Sequence, residues 1–353
     1  MRAVRVSSRT CRNPHRLCGG SIQLPEFASP RATAEDIIVA GPYDHGVSTS
    51  EAEITSDLLW SYVPDSAQYE AAGVPTWLDE LELTPAPPHV KMLTRSLGAD
   101  DWLIADQFRA METQLRQRLF DEQHDLVFAM NPNADDAARE TLQLVEQWLA
   151  RNNLPPAPAG FHPLEAAGRA IQEDLCLMVK REGSWHLDGA ALCFPSFWSL
   201  TEKFGRPTNA VHQGVAHYDD ELAPRVDRFF DRMRAGQVVW RRNLSVKPYP
   251  LLFVPLPKRA QPVGDLNTTQ DGSPFWLRSE WQTLQLLPHS GAILFTIKLQ
   301  LAPARVLMNR RDRAADLLAM YRSWDDEMVR YKIASNNLAP GFIPFLEKLA
   351  AAT

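Results

Sequence analysis

The hydrophobic pattern separates an irregular front from a periodic body. Residues 1–85 are rich in Pro, Ser, Thr and Asp and hold no sustained period, which predicts an irregular, partly disordered N-terminal arm wrapped around the rest. The proline-rich "ELTPAPPHV" closes that arm with a stiff segment. Residues 86–353 read as the main domain. There "GADDWLIADQFRAMETQLRQRLFDEQ" puts Trp102, Phe108, Met111, Leu115 and Leu119 on one helical face, with Asp100 and Asp101 suited to a first turn. "NADDAARETLQLVEQWLARNN" predicts a second helix with Leu142, Val145, Trp148 and Leu149 inward, and "PLEAAGRAIQ" a short third.

The period then changes from helical to alternating. "EDLCLMVKREGSWHLDGAALCFP" predicts strand, turn, strand, reversing at Glu182-Gly183. A helical stretch around "SLTEKFG" follows, and "ELAPRVDRFFDRMRAG" is an amphipathic helix stopped by Gly236. "QVVWRRNLSVKP" predicts a third strand, and "PFWLRSEWQTLQLLP" and "AILFTIKLQLAP" a strand pair joined by "HSG". In the last, Ile293, Phe295, Ile297, Leu299 and Leu301 alternate with Leu294, Thr296, Lys298 and Gln300, predicting a strand buried on one side. A helical tail begins at "RDRAADLLAMYRSW". Two early and three late strands sharing one antiparallel sheet, with the middle helices as a cup over one face, give an α+β fold with a concave apolar site.

Composition narrows the function classes. With 45% hydrophobic and 23% charged residues the chain is ordinary globular material, and a net charge of −6 gives no general attraction to nucleic acid. No run approaches the roughly 18 apolar residues of a membrane span. Four cysteines, Cys11, Cys18, Cys176 and Cys193, argue against a disulfide scaffold and an iron–sulfur cluster in this chain, and fit a reducing cytoplasm. The first 25 residues carry five arginines and no acid before Glu26, the composition of an organelle presequence. The plainer reading is a disordered tail or an upstream start codon.

One stretch resists a purely structural reading: "FPSFWSLTEKFGRPTNAVHQGVAH", residues 194–217, which spends tryptophan, lysine, glycine and two histidines between strand-like runs. Together with "DDWLIAD", "EDLCLM", "LCFPSFW", "EKFG", "VH", "RRN", "LRSEWQTL" and "LLPHSGAILFTIK", in that order, it resembles the α-subunit-like family of haem-dependent oxidative N-demethylases. The resemblance runs from about residue 90 to 332. It implies a PAS-type fold, here a five-stranded antiparallel sheet with a helical cup and helical N- and C-terminal additions, and a haem b cofactor. It also implies O2-dependent oxidation of a small-molecule amine. Electrons would come from NADPH through partner subunits carrying flavin (FMN) and an iron–sulfur cluster, and tetrahydrofolate would take up the one-carbon product. The chain has no Rossmann glycine fingerprint and no cysteine cluster, so it is not its own reductase. A non-catalytic haem sensor of gas or redox state is the alternative, although no kinase, cyclase or DNA-binding module is visible.

The resemblance carries residues with it. His212 matches the family's histidine after the Lys-Phe-Gly helix and is the expected iron ligand; His217 is its rival, and nothing in the sequence marks a cationic setting for a Cys193 thiolate. Lys203, Arg242 and Arg278 are candidates for the haem propionates, since guanidinium suits a planar carboxylate. Glu280 shares a strand face with Arg278 and Gln282, and is expected to hold an ammonium or relay protons, with Gln282 beside it. Trp198 and Trp281 are candidate pocket walls. The family pattern has arginine where this chain has Trp281 and Leu286, tryptophan where it has Leu244, and proline where it has Ala216. The expectation from Trp281 is a larger, more aromatic substrate or a repacked haem edge.

Overall fold

The computed structural model describes residues 56–83, 85, 94–211, 223–256, 268–333 and 338–351. Their centre is one antiparallel sheet of seven strands, so the fold is α+β. In chain order the strands are β1 (Arg95–Leu97), β2 (Phe128–Met130), β3 (Asp174–Arg181), β4 (Ser184–Ala191), β5 (Val238–Lys247), β6 (Trp276–Leu286) and β7 (Ile293–Pro303). In space they run β1-β5-β6-β7-β3-β4-β2. The five strands expected from alternation are the middle five. The additional β1 and β2 are edge strands of three residues, too short to leave a period in the sequence. The β3–β4 hairpin closes at Glu182 (φ 53°) and Gly183 (φ 83°), the positive pair that a two-residue turn between twisted strands requires.

Each sheet face has its own cover. On one face Met178, Leu187, Val239, Leu284 and Ile293 share a core with Leu200, Val226, Phe230 and Met233. Those last four come from the helix Leu200–Lys203, the helix Ala223–Arg232 and the turn after it, the expected cup. On the opposite face Leu175, Leu177 and Leu294 pack with Leu115 and Leu119 of helix Arg109–Glu122, and with Val145 and Trp148 of helix Asp135–Arg151. Farther along that face Val246, Leu277 and Ala302 lie under Leu317, Phe342 and Phe345 of the C-terminal helices. The described part of the N-terminal arm joins these cores: Leu59, Tyr62 and Tyr69 enter the first, Trp77 and Leu78 the second.

Three sequence expectations need correcting. The helix predicted from residue 98 begins only at Arg109. Ahead of it, the Ile104 and Asp106 N–H groups donate to the side chains of Glu173 (2.8 Å) and Gln172 (3.2 Å), so a tertiary contact takes donors a helix would have used. The amphipathic helix ends at Arg232, four residues before Gly236, which sits instead in the turn into β5. Finally, β7 is buried on both faces, not one: Thr296 and Lys298 are 0% exposed. Helix Arg109–Glu122 covers that side, and Lys298 is tolerated there because its ammonium pairs with Glu112 and with Asp106 (3.3 Å). No helix among the described residues is long and apolar enough to cross a membrane.

Candidate functional site

The chain leaving β4 is held down at its start. Asp174 accepts the N–H groups of Cys193 (2.7 Å) and Phe194 (3.1 Å), and its carboxylate pairs with the buried Arg116 (2.7 Å). Three residues after Phe194 the backbone is strained, with Phe197 at φ 61°, a conformation uncommon for a bulky side chain. It is fixed from outside by the Phe197 N–H donating to the Val254 carbonyl (3.1 Å), and by the Lys247 ammonium 3.5 Å from its ring centroid. Imposed strain of this kind marks sites where side-chain aim matters.

Ser196 is what that loop aims. Its hydroxyl donates to Glu280 Oε1 (2.7 Å) and accepts from Arg278 Nε (3.0 Å), while Gln282 Nε2 donates to Glu280 Oε2 (2.8 Å). Glu280 therefore has each carboxylate oxygen fixed by a neutral donor. Arg278 is 1% exposed, and its remaining donors go to the carbonyls of Phe194 (3.1 Å), Pro195 (3.2 Å), Leu252 (3.0 Å) and Leu251. It ties the 194–196 loop to the 251–252 loop, and its fork is already saturated. Burial pulls its pKa down, with Glu280 opposing.

Strand register decides what else meets Glu280. Gln282 is the partner of Arg241, and Glu280 the partner of Asn243, so Arg241, Glu280 and Gln282 share the face beneath the cup. Arg242 and Trp281 share the opposite one. There Trp281 stacks on Trp240 at 4.2 Å, with Arg242 5.0 Å above its ring. Arg242 donates to Glu80 (2.6 Å), Ser279 (2.8 Å) and Gln300 (2.7 Å). The structure thus brings Arg278, Glu280 and Gln282 together and puts Arg242 and Trp281 behind the sheet.

Arg241 is a residue the sequence reading passed over, although it stands in the quoted "RRN". Its Nε is sealed from solvent and has no hydrogen-bond partner, and burial lowers its pKa against the pull of Glu280. Lys332 and Tyr331, in the π-helical turn Val329–Ile333, lie in the field of the same carboxylate. Burial lowers the Lys332 ammonium and pushes the Tyr331 phenol up to about 12. Single π turns recur at functional sites, but no pattern in "VRYKI" announces one.

At the cup, Lys203 lies 5.2 Å from the Trp198 ring, and its ammonium donates to the carbonyl of Val211. Burial lowers its pKa to about 8. Both His212 and His217 lie outside the described residues, so Val211 is the last described position before them. Cys193 is fully buried, with its thiol pushed up to about 12 by that burial.

A family model described as haem-dependent oxidative N-demethylase, alpha subunit-like, matches residues 150–338, more than half of the chain. The chain belongs to this family. The match spans β3 to the π turn and so contains Ser196, Lys203, Arg241, Arg278, Glu280 and Lys332. A haem-dependent N-demethylase subunit needs an apolar slot with cations for two propionates. The face beneath the cup supplies part of that: Leu284, Val239 and Met178 are apolar but packed beneath Leu200, Val226 and Phe230, and the buried Nε of Arg241 is a donor with no partner among the described residues.

Proposed function

We propose that the protein is the haem b-binding, substrate-oxidising subunit of a multi-component oxygenase with a PAS-type haem domain. In this reading it removes an N-methyl or related group from an amine-containing small molecule. The observation that carries the reading is Glu280, a carboxylate held on both oxygens by Ser196 and Gln282 on the face beneath the cup. Family membership supports the haem, and the pairing of β7 with β3, which joins two early strands to three late ones, supports the PAS-type sheet.

The roles follow from chemistry. Haem supplies O2 activation and accepts electrons from a separate reductase, here a partner carrying FMN and an iron–sulfur cluster and drawing on NADPH. His212 is the proposed iron ligand, on a segment whose preceding residue, Val211, is gripped by Lys203. Glu280 receives the substrate's ammonium and can take up or return its proton. Ser196 and Gln282 fix the direction of that carboxylate, and Trp198 bounds the site on the cup side. Arg278 acts at one remove, by locking the loop from which Ser196 projects to the 251–252 loop.

The test is the absorption spectrum of the purified full-length protein. The expected result is a strong Soret band that shifts on titration with secondary or tertiary amines, and loses that response in Glu280→Gln. A protein that takes up no haem on reconstitution would overturn the reading.

A further inference from the structure

Arginine is abundant on this sheet, and its pairing is uneven. Among the strand arginines, Arg95 donates to Glu82, Arg181 to Asp188 (3.0 Å), Arg242 to Glu80 and Gln300, and Arg278 to four carbonyls and Ser196. Arg241 donates no hydrogen bond to any described residue, and its Nε is closed off from water. A desolvated guanidinium donor without an acceptor is expensive, so its retention calls for an acceptor beyond the described residues. Glu280, the carboxylate in its field, accepts from Ser196 and Gln282 but not from Arg241.

We propose that Arg241 anchors a carboxylate-binding site on the sheet face beneath the cup, beside the ammonium position at Glu280. Lys332, in the π turn, lies in the field of the same Glu280 carboxylate and of Arg241. An incoming carboxylate gives the Arg241 guanidinium a two-point partner. The site rests on the functional reading above for its neighbour Glu280, but not for its own chemistry. Two molecules present such a group: a haem propionate, or an amine substrate that also carries a carboxylate, as an N-methyl amino acid does. Because Arg241 pairs across the strands with Gln282, it is the diagonal neighbour of Glu280, about 7–8 Å away at the backbone. That spacing suits one small zwitterion reaching both.

The experiment compares wild type, Arg241→Met and Arg241→Lys, all full length. In one arm, haem-depleted protein is titrated with haem and with haem dimethyl ester, which lacks free carboxylates. A propionate site predicts about a tenfold to hundredfold loss of haem affinity in Arg241→Met with the ester unaffected. In the other arm, N-methylglycine and dimethylamine are titrated calorimetrically, a readout that needs no bound haem. A substrate-carboxylate site predicts the same loss for N-methylglycine alone, whereas Glu280→Gln weakens both amines. Arg241→Lys keeps the charge but not the fork, so a smaller loss for the same ligand is expected. If Arg241→Met does not fold by circular dichroism, that smaller loss carries the test. A wild type without a Soret band defeats the functional reading while leaving the second arm to decide this one. Folded Arg241 variants that match wild type in both arms overturn the proposal, as does a wild type that binds neither haem nor N-methylglycine.

Discussion

Glu280 and Trp281 are neighbours on β6 and look in opposite directions. Glu280 meets Ser196 and Gln282 beneath the cup, while Trp281, 7% exposed, is stacked between Trp240 and Arg242 on the other side of the sheet. The departure from the family pattern at 281 therefore belongs to packing behind the site, and the larger substrate expected from it has no support in this geometry.

Trp281→Arg should destabilise the protein and leave ligand preference alone. Across the strands residue 281 lies between Arg242 and Lys298, so an arginine would set three cations in a row on a buried face. An uncompensated buried charge costs about 3–5 kcal/mol. The expected outcome is a markedly lower melting temperature with an unchanged ratio of affinities for a small and an aromatic amine. A changed ratio at unchanged stability would return Trp281 to the pocket.

Ser196→Ala should act on both sides of its bridge. It strips Glu280 of one donor and leaves the buried Nε of Arg278 without its acceptor. Leaving such a group unsatisfied costs about 1–3 kcal/mol of stability. Amine affinity should fall as well, by less than in Glu280→Gln, since Gln282 still holds the second oxygen. Thermal melts and amine titrations on the same samples check both parts.

The strands and the shared face of Arg278, Glu280 and Gln282 were legible, because a period of two is written locally. Which of Arg241 and Arg242 joins them was not. That depends on how β5 registers against β6, a relation between segments about forty residues apart that neither strand's own pattern encodes. Alternation also misread β7: Lys298 looks like a solvent residue until Glu112, from a helix far earlier in the chain, is placed over it.

Burial of charge behind the sheet should make stability fall with rising pH. Glu173 is fully buried; Ile104 N–H donates to its Oε1 (2.8 Å), and its Oε2 has no partner. Burial lifts its pKa from 4.5 to about 7, with Lys298 opposing. Between those values the folded state holds a proton that the unfolded state has released. Its contribution is thus fully present below pH 4.5, declines as pH rises and is lost by about pH 7. At about 1.4 kcal/mol per pH unit the span is at most about 3.5 kcal/mol. Glu173→Gln should remove this slope and raise stability above pH 7, as seen in urea melts at pH 5 and 8. An equal slope in both proteins would count against it.

The iron ligand separates three side chains that the sequence offers near the cup. Cys193 can be judged by its setting: it is fully buried just after β4, its backbone N–H is tied to Asp174, and burial pushes its thiol up to about 12. Cys193→Ser should therefore leave the Soret band in place. His212→Ala should abolish it or weaken haem binding severely, whereas His217→Ala should not. Lys203 supplies an internal control. Its ammonium grips the Val211 carbonyl, one residue before His212, and packs over Trp198. Lys203→Met keeps most of the stem's apolar contact and drops the hydrogen bond, so it should loosen haem while preserving the ligand-field spectrum of whatever remains bound. A His212→Ala protein with an unchanged ferric spectrum would remove His212 from the role. Loss of the band in His217→Ala alone would pass the role to that residue, and Lys203→Met would then be expected to leave haem affinity untouched.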